Sequence, residues 1–567
     1  MSTVLVLGGG VGGLTAAHEL AERGFDVTVV EWRPDFGGKA RSMDVPDSAA
    51  GRRLPLPGEH GFRFFPGFYR HLPDTMARIP LGGGHVVDHL VPTSRILLAQ
   101  EGGRPELIAI AERPATGTDF VAALRFLRDF AASVTVPTAE FAAFAAGLMK
   151  LLCACDERRY QEYDLQSWWE FSGAEQRSAA FQKFLANGLT RTLVAARARE
   201  MSARTGGLIL CQLALDLVRA DGRMSRVLDG PTSDRWITPW LAHLRGLGVV
   251  LRGGCEVAGI GCDGHRVTGV TINTDGGTET LVADHYVAAL PVERLRPLLS
   301  PALHTADPRL AALSRLVTRW MNGIMFYLKQ DVPMQHGHSL FIDSAWALTS
   351  ISQAQFWRSA GFEFGGRGDG AVNGILSVDI SDWTSPGSNH KVAMACTAEE
   401  IKAEVWRQLV DAVGATVLDE ANVHSWFLDP AIRPPNPTEA TNLEPLLINT
   451  AGSWADRPDA VTRIPNLFLA ADFVRTYTDL ATMEGANEAA RRAVNGILAA
   501  TGSDATPCDV WPLNEPKALA PFRALDRIRW RLGRPQGDPP MQLDPDGEPR
   551  PADPIARLLF KVGDALG

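Results

Sequence analysis

Cysteine is scarce and unpatterned: the 567 residues hold seven, scattered from Cys153 to Cys508 with no C-x-x-C spacing. That excludes a disulfide-stapled secreted framework and a cysteine-built metal site, and it predicts a reducing, cytoplasmic setting. Cys153 and Cys155 fall on an apolar helix and read as core thiols. Excess positive charge is also missing, because the net charge is −9, which removes the broad basic field that nucleic-acid binding needs. No apolar run is long enough to span a bilayer. The greasiest stretch, Phe141 to Cys155, is broken by Lys150 and flanked by Glu140 and Asp156, so it reads as a buried amphipathic helix, with a membrane-surface or tunnel-wall role as the alternative. The first strand starts within three residues of Met1, which leaves no room for a basic and apolar leader and predicts a chain without a secretory signal. No internal repeat, no Ser-His-Asp set and no metal constellation stands out.

What is present is glycine in chemically telling places near the two ends. Residues 3 to 7 form an apolar run that fits a central parallel strand. Gly8, Gly10 and Gly13 follow in G-x-G-x-x-G spacing, with Gly12 beside them, where a tight turn, a pyrophosphate and a closely packed helix each exclude a Cβ. Leu14, Ala17, Leu20 and Ala21 then recur at helical spacing up to Gly24. A second strand, Val27 to Val30, ends at Glu31, whose carboxylate suits ribose hydroxyls and favours an unphosphorylated ribose over NADP. The helix start supplies free N–H groups for phosphate.

A second doublet, Gly37-Gly38-Lys39-Ala40-Arg41-Ser42, and the C-terminal Met483-Glu484-Gly485-Ala486 after Leu467 to Asp472, resemble segments of the flavin amine oxidase and carotene desaturase superfamily. The likeness is nearest to carotene desaturases and to bacterial enzymes similar to hydroxysqualene dehydroxylase. Gly58 to Tyr69 looks like the acid, glycine and aromatic segment of the desaturases. Glu256 to Ile260 is similar to a strand that runs beside the adenine in that superfamily, at Val257. The resemblance implies FAD as cofactor, held by Gly8, Gly10, Gly12, Gly13, Glu31, Gly38, Lys39, Arg41, Val257, Asp472, Met483, Glu484 and Gly485. It also implies hydride loss from a hydrophobic substrate to the flavin. Departures lie on the substrate side: Asn487-Glu488 replaces a Ser-Gly pair, Arg63 stands where histidine is frequent, and Pro66 is an extra residue.

The implied fold is α/β: a Rossmann-like FAD-binding domain with a discontinuous α+β substrate domain, the amine oxidase or glutathione reductase-2-like architecture. Residues 1–90, 225–310 and 455–500 carry the cofactor signals. Residues 91–224 and 311–454 are read as the substrate domain, helical first (Phe120 to Phe130, Phe141 to Leu152, Ala179 to Leu193), then with strands such as Gly323 to Leu328. Residues 505–567 form a proline-rich tail in which Phe522 to Arg531 reads as an amphipathic basic helix, leaving contact with a membrane surface open.

Glu59, His60, Arg63 and Tyr69 are the candidate catalytic residues, and Phe62, Phe65 and Thr482 the candidate substrate contacts. Each has a plain alternative: a Glu59–Arg63 structural pair, a satisfied core histidine, ordinary phenylalanine packing. The expected activity is redox modification of a lipophilic, isoprenoid-like small molecule, with oxygen or a quinone as electron acceptor. Amine or amino-acid oxidation ranks second, because Thr482 occupies the place where many amine oxidases put a cage aromatic. A non-redox, flavin-dependent isomerase stands third.

Overall fold

A computed structural model describes residues 2–102, 106–109, 119–188, 196–217, 225–433, 440–544 and 547–565. The strand Thr3–Leu7 is central in a five-stranded, wholly parallel sheet whose order is Val250–Arg252, Asp26–Val30, Thr3–Leu7, His285–Ala288, Leu467–Leu469. Val4 to Leu7 are buried because both sheet faces are covered, which is why this strand is an unbroken apolar run. The sheet therefore joins residues from the start, middle and end of the chain. Helix Val11–Ala21 packs against helix Met483–Thr501, and a Cβ on Gly12 would lie 2.0 Å from the Ala470 carbonyl oxygen. Only glycine permits that approach, which brings the two glycine-bearing ends together.

Facing this sheet is a seven-stranded mixed one, ordered Glu106–Ala109, Arg95–Ala99, His338–Phe341, Leu348–Ser352, Gly374–Ile380, Asn322–Leu328, Val423–Leu428. Strand alternation sends Leu376, Val378 and Ile380 to one face, against Ile401, Val405 and Leu409 of helix Ala398–Val413. Register sets Leu98, Leu340, Thr349, Asp379 and Gly323 in one cross-strand row on the opposite face. Helices Asp119–Ser133, Thr138–Cys153 and Ala203–Leu217 share a third core. Thr138–Cys153 serves that core through Phe141, Phe144, Leu148 and Leu152 and is not part of the wall of the main cavity. Of the helix expected over 179–193, residues Phe181–Gly188 form a wide π-type turn, and 189–195 lie outside the described residues. The C-terminal helices Ala520–Arg531 and Pro554–Ala565 add Phe522 and Phe560 to the same core. All seven cysteines are free, and burial pushes the Cys153 and Cys155 thiols up to about 12 and about 11.

A buried ion cluster ties the helical layer to the loop entering helix Met483–Thr501. Arg204 lies 3.3 Å from Asp164 and also pairs with Asp479, which takes a second guanidinium from Arg457. Arg204 sits 4.5 Å from the Tyr160 ring and 4.6 Å from that of Trp454. Burial raises the Asp164 carboxyl, and Arg204 opposes the rise. Removing this cation leaves two buried carboxylates short of a partner, so Arg204→Met should lower unfolding free energy by about 3–5 kcal/mol. Denaturant titration checks it, and a loss below about 1 kcal/mol would show that the cluster is not a structural tie.

Candidate active site

A cavity of about 470 Å³ runs between the two large sheets. One end is walled by Gly8, Gly10, Gly12, Glu31, Gly38 and Lys39, the other by Ile96, Leu98, Phe126, Phe130, Leu213 and Leu340. His60 to Phe64, Asp472, Thr482 and Met483 lie along its course.

The glycine end has the features of an extended dinucleotide cradle. Helix Val11–Ala21 starts at Gly10 with no side-chain cap, so its first N–H groups are unclaimed by side chains and suit an anion. The second doublet lies on the first through Gly37 N–H donating to Gly9 O (2.8 Å). The Glu31 carboxylate accepts from Gly9 N–H (2.7 Å) and Arg33 N–H (3.2 Å). Burial raises this carboxyl, against those two N–H groups and the nearby Arg41 and Arg33. Lys39 reaches the wall but spends its ammonium on Pro445 O and Glu293.

The middle of the cavity depends on two glycines lying on each other. Gly323 N–H donates to His60 O (2.6 Å), and a Cβ on Gly323 would meet Gly61 Cα at 2.8 Å. A Cβ on Gly61 would in turn strike Asp379 Oδ1 at 2.4 Å. The His60-Gly61 peptide thus rests on the sheet with Asp379 to one side and Asp429 to the other. His60 Nδ1 contacts Asp429 Oδ2 and lies 3.5 Å from Glu444 Oε2. Burial works to raise Asp429, but His60, the Ala431 N–H and Asn322 hold it below the usual carboxylate range. Glu444 also faces Arg33 (3.0 Å) and Arg41 (3.2 Å).

Asp379 is different. Its Oδ1 has no hydrogen-bond partner among the described residues, and burial pushes the carboxyl up to about 7 despite Arg63 and the Phe62 N–H. Close by, His338 packs on Phe62 (5.2 Å) and Phe64 (4.9 Å), and burial lowers its ring to about 4, so it is neutral at physiological pH. Arg63 donates to Lys39 O (2.6 Å) and Ala40 O (3.2 Å), pinning the second doublet. Tyr69 shares a hydrogen bond with Thr482, and burial raises its phenol. Thr482 also caps helix Met483–Thr501 by accepting from Gly485 N–H (3.1 Å).

Seven of the residues read from sequence as site groups, Glu59, Phe65, Arg41, Val257, Glu484, Gly485 and Gly13, are not on the cavity wall. The Glu59 carboxylate turns away to accept from Thr232 N–H (3.0 Å) and Ser42 (3.1 Å), and Phe65 packs on Trp236 at 6.0 Å. Arg41 faces Glu444, and Val257 packs behind the parallel sheet. Glu484 accepts from the N–H groups of Arg70, His71 and Leu72 at 2.7–2.9 Å, so it anchors a neighbouring helix. Gly13 is also off the wall; its Cβ would strike Gly8 O at 1.9 Å, which is a packing constraint. Asp379, His338, Asp429 and Glu444 were missed. An aspartate in the apolar run Ile375 to Ile380 was the one visible signal, since a buried strand pays to hold an acid.

Two groups have donor atoms within 4.8 Å of one another, His18–Glu22–His243 and His60–Asp429–Glu444. Neither suits a cation. Trp240 Nε1 donates to His18 Nδ1 (3.1 Å), which places the ring proton on Nε2 toward Glu22, and Glu444 is already matched by two arginines.

Comparison with known proteins gives the same cofactor. Residues 11–498 match the family model for flavin containing amine oxidoreductases. The curated carotenoid phi-ring synthase of Chlorobaculum tepidum is 24% identical, with 90% of each chain covered. Putrescine oxidase bound to putrescine superposes with a TM-score of 0.56 at 15% identity, covering 88% of this chain and 99% of that one. Cyclohexylamine oxidase from Brevibacterium oxydans gives 0.55 at 15%, with the same coverage. At such identity these structures establish the fold. The cofactor is FAD, and the uncapped helix start, Glu31 and the apposed doublets fit it.

The purified protein should be yellow, and acid precipitation should release the colour into the supernatant; colour retained in the pellet would mean covalent attachment. Glu31→Gln should weaken FAD binding about ten- to hundredfold, because hydrogen bonds to a charged group contribute roughly 1.5–3 kcal/mol. Titration of apoprotein measures this, and unchanged affinity would remove Glu31 from the site.

Proposed function

The chain belongs to the flavin containing amine oxidoreductase family, and from that premise we propose that it desaturates, or otherwise oxidises, a long lipophilic substrate of isoprenoid type. The observation that carries this reading is the polarity gradient of the cavity. Charged groups crowd the cofactor side, whereas Ile96, Leu98, Phe126, Leu127, Phe130 and Leu213 wall the far end. A substrate lying there is held by apolar burial, worth about 25 cal/mol per Å². The likeness to a carotenoid phi-ring synthase supports the same class.

FAD, when bound, supplies the hydride acceptor. Forming a C=C bond from two C–H bonds also releases a proton, and we assign its uptake to Asp379, a carboxyl of the cavity wall whose Oδ1 is buried without a hydrogen-bond partner. Met483 and the capped start of its helix, on the cavity wall, would help hold the FAD. Phe62 and Phe64 keep the passage narrow and dry, which maintains the proton affinity of Asp379. Amine oxidation is the second reading, supported by the fold shared with putrescine and cyclohexylamine oxidases. Thr482 supplies no aromatic cage for it.

Anaerobic mixing separates these readings: squalene-type or carotene-type compounds should bleach the flavin faster than small primary or secondary amines. Faster bleaching by amines would make amine oxidation primary, and product formation without bleaching would favour an isomerase.

A buried carboxyl that ionises at about 7 makes the rate of flavin reduction rise with pH through that value. Asp379→Asn should abolish the inflection and slow reduction by about 10²–10⁴-fold. The unfolded carboxyl ionises near 3.8, so the folded state binds the extra proton between the two values. Its stabilising effect is full below the lower value and fades as pH rises to about 7. Asp379→Asn should flatten that slope in denaturant titrations at several pH values; an unaltered slope would place the titrating group elsewhere.

A further inference from the structure

The two C-terminal helices lie beyond residue 498, where the family match ends, and the cofactor site uses neither. Each has the same cross-section. Helix Ala520–Arg531 buries Phe522 and Asp526 and exposes Leu525, Ile528 and the following Leu532, which are 46%, 56% and 64% accessible. Helix Pro554–Ala565 buries Ala556 and Phe560 and exposes Ile555 (69%) and Leu558 (62%). Phe522 and Phe560 touch, with ring centroids 4.9 Å apart, and both helices seat on one core cluster. Their exposed aliphatic residues therefore lie outside that shared seat. Spacings of i, i+3 and i+7 in the first helix and i, i+3 in the second make each a continuous stripe.

The stripes are rimmed by cations. Between residues 520 and 534 the sequence has five arginines, Arg523, Arg527, Arg529, Arg531 and Arg534, against one acid, Asp526. Asp526 is buried against Arg158 (3.0 Å). Arg557 and Lys561 are exposed on the second helix. Arg523 is paired with Glu515, and Arg527 with Glu157 and Asp156, so the cations of this face are Arg529, Arg531 and Arg534 on the first helix and Arg557 and Lys561 on the second. We propose that these two helices form a docking face for an anionic bilayer surface, with the leucines and isoleucines entering the acyl boundary and the arginines and lysine meeting lipid phosphates. Twelve-residue helices are too short to span a bilayer, so the protein lies on it. A two-fold contact with a second copy would set arginines against arginines.

The placement also suits delivery of a greasy ligand. The core cluster that seats Phe522 and Phe560 includes Leu127 and Phe130 of helix Asp119–Ser133, and those two residues wall the far end of the cavity. The helices of the docking face and the apolar end of the cavity thus share one core.

Co-sedimentation of the FAD-loaded protein with vesicles tests the proposal. The protein should bind vesicles containing phosphatidylglycerol, more weakly at high salt, and bind pure phosphatidylcholine poorly. The pair Leu525→Glu and Ile528→Glu should lose about tenfold or more in vesicle partitioning, with flavin absorbance and detergent-phase turnover retained. The pair Arg529→Gln and Arg531→Gln should lose the preference for anionic lipid, and it carries the test if the glutamate pair fails to fold. Wild-type protein that stays in the supernatant with anionic vesicles, or a glutamate pair that binds as well as wild type, overturns the proposal. A dimer in sedimentation velocity that the glutamate pair dissolves would also overturn it, by assigning the face to a second copy.

Discussion

The backbone-on-backbone contact of Gly61 with Gly323 is the constraint on which the centre of the molecule depends. It is the place where the segment that follows the cofactor doublets touches the sheet that floors the cavity, with Gly323 N–H bonded to His60 O at 2.6 Å. A Cβ on Gly323 would lie 2.8 Å from Gly61 Cα and one on Gly61 would lie 2.4 Å from Asp379 Oδ1, so a side chain at either position would push the segment off the sheet. His60 would then leave Asp429, and Arg63 would leave the Lys39 and Ala40 carbonyls that it pins. Position of the second doublet and exposure of Asp379 to the cavity are consequences of one close approach.

Charge around that contact is arranged in two states. Asp429 and Glu444 are matched by His60, Asn322, Arg33 and Arg41, and both carboxyls are held below the usual range. Asp379, on the strand beside that of Asn322, is governed by burial, which Arg63 and the Phe62 N–H oppose and Glu59 reinforces. Two acids of the same type in one sheet thus differ because one has hydrogen-bond donors and the other has an open wall. The charged cluster ties down the cofactor-side segment, and Asp379 keeps an unpaired, buried Oδ1 beneath Gly61.

Much of the cofactor half was legible in the sequence because its signals are local. The run 3–7, the glycine spacing, Gly24 and Glu31 sit in one strand-helix-strand unit, whose chemistry follows from order along the chain. Where predicted site residues lie off the cavity wall, the causes are geometric. His60 to Phe64 line the cavity in succession and Phe68 and Tyr69 rejoin it, whereas Phe65 turns away in the short strand Phe65–Pro66, so the two-residue period of a strand does not say which phenylalanine meets the cavity. On helix Met483–Thr501, Glu484 is turned about 100° from Met483, toward Arg70 to Leu72. A motif treated as a block hides that rotation. Asp379 and His338 become neighbours of the cavity only through the register of strands far apart in the chain, which no local pattern encodes.

The apolar far end and the acid beside the cofactor are one physical system. The same phenylalanines and leucines that would hold a greasy ligand also keep water from the Asp379 carboxyl, and its ionisation at about 7 is due first to that exclusion. Opening the passage to water would lower the proton affinity of Asp379 even if the residue never moved. Substrate affinity and proton affinity therefore vary together, and a ligand that fills the cavity completely raises both. This coupling explains why an acid with an unpaired oxygen is tolerated in a buried strand. Its desolvation is a cost to the fold near neutral pH, offset elsewhere by networks such as Asp164–Arg204–Asp479, and the same desolvation makes the carboxylate a stronger base than an exposed aspartate.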